Sequence, residues 1–82
     1  MKTFYKVPLI FEPQPEGGYT VTSPLLPELI TEGDTLEEAR NNAEDALQAV
    51  LELYEEMGIS ISSVLQPIVD KAPFLLEAAV AI

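Results

Sequence analysis

Carboxylates are the reactive side chains this 82-residue chain has in quantity: 14 Asp and Glu stand against 4 Lys and Arg, with no His and no Cys. Such a set could do acid–base work or hold a hard cation, provided several oxygens converge on one point. The spacing speaks against convergence. Glu37/Glu38, Glu44/Asp45 and Glu55/Glu56 are neighbours in sequence, and neighbours on a helix point about 100° apart. Glu52 shares a helix face with Glu55 and Glu56 and would bind a cation weakly; a solvated face is the plainer account. Ser60, Ser62 and Ser63 have no histidine to activate them. Gly17-Gly18 is not a phosphate cradle, because acids surround it and no helix start follows. The expectation is a non-enzyme with no catalytic residues, no metal site and no cofactor.

The elements that carry these acids are readable from periodicity. Residues 3–11 alternate, with Tyr5, Val7, Leu9 and Phe11 on one face, and read as a first strand. Pro8 lacks an N–H and belongs at an edge. Residues 12–18, with two prolines and two glycines, form a turn. Residues 19–23 are the second strand of an antiparallel hairpin. Pro24 and Pro27 bracket an extended loop, and residues 29–32 are a short third strand. Gly33-Asp34 turns into a helix capped by Thr35, with Glu38 completing a capping box. The helix spans residues 36–57. Leu36, Ala39, Ala43, Ala46, Val50, Leu53 and Met57 form its apolar stripe, which Leu47, Leu51 and Tyr54 widen. Gly58 follows as its stop. Residues 74–82 are apolar apart from Glu77 and have a strand's length.

Charge separates the chain into parts. The net charge is −10, and 12 of the acids fall within residues 12–56, where Arg40 is the one base. Such a surface repels nucleic-acid phosphates and attracts a basic protein. Glu52, Glu55 and Glu56 crowd the helix end that favours cations, and Lys2, Lys6 or a basic partner would relieve them. Residues 1–13 do not read as a leader, and no apolar run reaches the length of a membrane helix. With cysteine absent, a soluble cytoplasmic protein is expected.

Gly17-Gly18-Tyr19, Ser23-Pro24, Leu26-Pro27 and Thr31-Glu32-Gly33-Asp34-Thr35, in that order and ahead of an Ala-rich helix, resemble the signature of HicB-type antitoxins. The resemblance covers residues of about 5–57. Glu28 stands where family members commonly carry a glycine after the proline. The resemblance implies a degraded, partial RNase H-like domain without catalytic carboxylates. It also implies a small basic HicA-type toxin as partner, an enzyme that cleaves mRNA and whose catalytic histidine the antitoxin occludes. Family members often carry a second, DNA-binding domain, and residues 59–82 are too few and too poor in Lys and Arg to be one.

These readings give a single α+β domain of order β-β-β-α-β, with an antiparallel sheet of three or four strands and one long amphipathic helix. Residues 1–58 are its core and residues 59–82 an extension ending in the strand 74–82. Exposure and charge nominate Glu28, Glu32, Asp34, Glu52, Glu55 and Glu56 for a toxin interface. Phe74, Leu76, Ala78, Val80 and Ile82 are nominated for a homodimer or larger homo-oligomer. The alternative function is an orphan HicB-like oligomeric binding module without a toxin.

Overall fold

In the computed structural model of the protein, which describes residues 3–69, 71–76, 78 and 80, Pro8 divides the expected first strand in two. β1 (Tyr5–Lys6) lies before it and β2 (Ile10–Pro13) after it. A residue with no N–H to donate interrupts a ladder, so the two halves pair with different partners. β2 forms the expected antiparallel hairpin with β3 (Tyr19–Thr22), which pairs in turn with β4 (Ile30–Gly33). The sheet order is β2-β3-β4. Its hairpin turn closes through Gly17 N–H to the Gln14 carbonyl at 3.0 Å and Gln14 N–H to the Gly18 carbonyl at 3.0 Å.

The helix α1 (Leu36–Glu56) packs across this sheet. The Thr35 hydroxyl accepts from Glu38 N–H at 3.1 Å, as an N-cap should. At the other end Gly58 takes φ +73°, Gly58 N–H bonds the Glu55 carbonyl, and Ile59 N–H bonds the Tyr54 carbonyl. That pair of bonds is a Schellman stop, which needs the left-handed residue glycine supplies. Ala39, Ala43, Val50 and Tyr54 are buried on the sheet side. Leu36, Leu53 and Met57, placed in the stripe by periodicity, are exposed. Strands of four residues span only about 13 Å, against roughly 31 Å for a 21-residue helix, so the sheet cannot cover both ends.

The rest of the core comes from loops. Leu26 and Leu29 in the loop before β4 are among the largest fully buried side chains, with Val21 of β3. A turn from Leu29 N–H to the Leu26 carbonyl at 2.9 Å holds them. Beyond the helix a 3-10 turn (Ile61–Ser63) buries Leu65 in the same core. It then delivers β5 (Gln66–Pro67) antiparallel to β1, extended by Ile68 N–H to the Phe4 carbonyl. The α+β class with an antiparallel sheet and one long helix is as expected; the fourth pairing is not. The strand expected over 74–82 is absent among the described residues: Phe74, Leu75, Leu76, Ala78 and Val80 are in no strand and are exposed. Glu77, Ala79, Ala81 and Ile82 lie outside the described residues.

Candidate functional site

The nominated acids fall into two groups at opposite ends of α1. Glu32 is the next-to-last residue of β4 and Asp34 lies in the turn that follows, both exposed, beside the hairpin turn. With Gln14, Glu16, Gly17, Gly18 and Tyr19 they line a small concavity of about 230 Å³. Glu16 was not singled out from the sequence; only the register that sets Tyr19 against Gly33 brings its turn to Asp34. Asn42 fastens this end by donating its side-chain amide to the Glu32 carbonyl at 2.8 Å.

Glycines make the close packing here possible. A Cβ on Gly33 would stand 2.3 Å from Ala39 N and 2.6 Å from Ala39 Cα. A Cβ on Gly18 would stand 2.8 Å from the Gly33 carbonyl oxygen, and Gly18 also has φ +81°. The two glycines of the motif therefore stack hairpin on strand and strand on helix. The expected role of Gly33 was the turn; it is the last residue of β4, and what requires glycine is the backbone of α1 lying against it.

Glu28 is at the other end. Its carboxylate accepts a 2.5 Å hydrogen bond from the Tyr54 hydroxyl, 26 residues away in sequence. That bond, then burial, then the carboxylate's charge raise the Tyr54 pKa above its ordinary value of 10.0. Glu28 thus ties the proline loop to the last turns of α1. Glu52, Glu55 and Glu56 are exposed on those turns, and no base lies in the last turn. Lys2 is outside the described residues. Lys6 borders a different region, a cavity of about 1330 Å³ shared with Leu36, Glu37 and Arg40 at the start of α1. Leu75, Leu76, Ala78 and Val80 line the same cavity. Among the described residues no three Asp or Glu are placed to hold a metal ion, and no helix is long and apolar enough to cross a membrane.

No family model matches the chain. Individual proteins do. The chain is 49% identical over 51 residues to Antitoxin HicB 1 of Photorhabdus laumondii, which covers 62% of this chain and 33% of that one. It is 41% identical over 51 residues to Antitoxin HicB of Escherichia coli K12, covering 62% of this chain and 37% of that one. The match thus spans about a third of the curated relatives' length. Within that span, the resemblance to HicB-type antitoxins read from the Gly17 to Thr35 motif is borne out.

Proposed function

We propose that the chain acts as an antitoxin, binding and neutralising a small basic HicA-type toxin that cleaves mRNA by covering the toxin's catalytic site. The observation that carries this is the 41–49% identity to HicB antitoxins over 51 residues. Charge supports it. A net charge of −10 concentrated in residues 12–56 speeds encounter with a basic protein. In this reading the protein is a cytoplasmic non-enzyme, its sheet and helix are a partial RNase H-like unit, and it does not itself bind nucleic acid. Titrating the chain into a purified HicA-type toxin should abolish RNA cleavage near equimolar ratio. Undiminished cleavage at excess would sink the reading.

The exposed apolar residues Phe74, Leu75, Leu76 and Val80 favour a second feature, self-association into a homodimer or larger assembly. An orphan module without a toxin would retain that property alone. Removing residues 74–82 should then lower the mass in solution and the melting temperature; if neither changes, the segment holds no oligomer together.

A further inference from the structure

Strand register puts two contrasting rows on the sheet face turned away from α1. Val21, Phe11 and Thr31 occupy one face, where Val21 is fully buried and Phe11 packs against the core. Alternation therefore places Ile10, Thr22 and Ile30 in one row on the other face, and Glu12, Thr20 and Glu32 in the next. Ile10 is 46% exposed and Ile30 68% exposed. A sheet face left to water carries polar residues, so two isoleucines flanking a threonine across three strands are out of place there.

We propose that this face is the docking surface for the basic protein, resting on the antitoxin reading above. Adjacent rows on one face are about 7 Å apart along the strands, and neighbouring strands about 4.8 Å apart. Lysine and arginine have the matching shape, since their apolar stems cover hydrophobic surface while their charged heads reach beyond it. A stem laid over the Ile10–Thr22–Ile30 row delivers its head to the Glu12–Thr20–Glu32 row. A guanidinium above Thr20 lies one strand spacing from each glutamate and engages both. Between its outermost positions the patch measures roughly 10 by 7 Å, the size of an anchoring centre within an interface of about 800 Å² per partner. The acidic concavity at Glu16, Glu32 and Asp34 continues it on one side. Glu12, Ile10 and Ile30 thereby join the interface, while the helix acids Glu52, Glu55 and Glu56 fall outside its centre.

The test is affinity for a catalytically inactive HicA-type toxin at low and high salt, with melting temperature as the check on folding. Ile10→Thr with Ile30→Thr keeps β-branched residues on an exposed face and should weaken binding at least tenfold while leaving the salt dependence intact. Glu12→Gln with Glu32→Gln should slow association and flatten the salt dependence. Thr20→Lys, which puts a cation between the two glutamates, should abolish binding in a folded protein. Glu52→Gln with Glu55→Gln and Glu56→Gln should change affinity less than threefold. Wild-type affinity in the folded sheet variants, or loss confined to the helix variant, would overturn the docking surface while sparing the antitoxin reading. Absence of binding by the wild-type chain would overturn both.

Discussion

Replacing Gly33 with alanine should loosen the joint between sheet and helix. The new Cβ would lie 2.3 Å from Ala39 N, 2.6 Å from Ala39 Cα and 2.8 Å from the Glu38 carbonyl carbon. Restoring ordinary van der Waals separation requires β4 and the first turn of α1 to part by roughly 1 Å. The obstruction is helix backbone, which cannot rotate aside as a side chain would. Overpacking costs about 1–3 kcal/mol, and a backbone obstruction belongs at the upper end. Alanine also restricts the unfolded chain, which returns about 0.4–1 kcal/mol. The net loss is about 2 kcal/mol, or roughly 8–16 °C in Tm for a domain this small. Thermal and urea unfolding followed by far-ultraviolet circular dichroism measures it. Adding Ala39→Gly should give no rescue, because the clash is with Ala39 backbone and not its methyl group. An unchanged Tm in Gly33→Ala, or rescue by Ala39→Gly, would refute the close-packing argument.

Three further outcomes follow from particular contacts. Tyr54→Phe removes the hydrogen bond to Glu28 and should lower the melting temperature at neutral pH, because a hydrogen bond to a charged acceptor is lost. Because the folded-state pKa of Tyr54 is raised, its contribution is complete below pH 10 and fades as pH rises through the folded-state value. Wild type and Tyr54→Phe should therefore converge in alkaline denaturation curves. Leu65→Ala empties a side chain that is 2% exposed and should cost about 2–5 kcal/mol; a loss under about 1 kcal/mol would mean that residues 59–67 are not part of the core. Glu56→Lys supplies the missing base at the end of α1 and should raise stability by about 0.3–1 kcal/mol at low salt, a gain that high salt should erase.

Elements governed by local rules were legible in the sequence, and those governed by pairing were not. The helix announced itself through Thr35, Gly58 and its apolar period, and both ends lie where these residues put them. The hairpin was legible because residues 14–18 contain the proline and glycines a turn needs. β1 and β5 were not: two residues carry no periodicity, and their pairing depends on where the 3-10 turn sends Gln66. Pro8 was recognised as unable to donate, but the sequence does not say that the chain changes partners there. Nor does it show that Leu26 and Leu29, in a proline-bounded loop, are core. The site was legible as charge and not as geometry. Glu28 was nominated for a partner and is bound to Tyr54. Glu16 and Glu12 gain meaning only once register sets them beside Asp34 and Thr20. The isoleucine row joins residues from three strands, so no local pattern contains it.

The most direct test of the central claim is co-expression of this chain with a small basic HicA-type toxin, scoring growth and co-purification. The account predicts arrested growth with the basic protein alone, restored growth with both, and a stable complex on purification. Toxicity that the chain does not relieve, with no complex recovered, would contradict it.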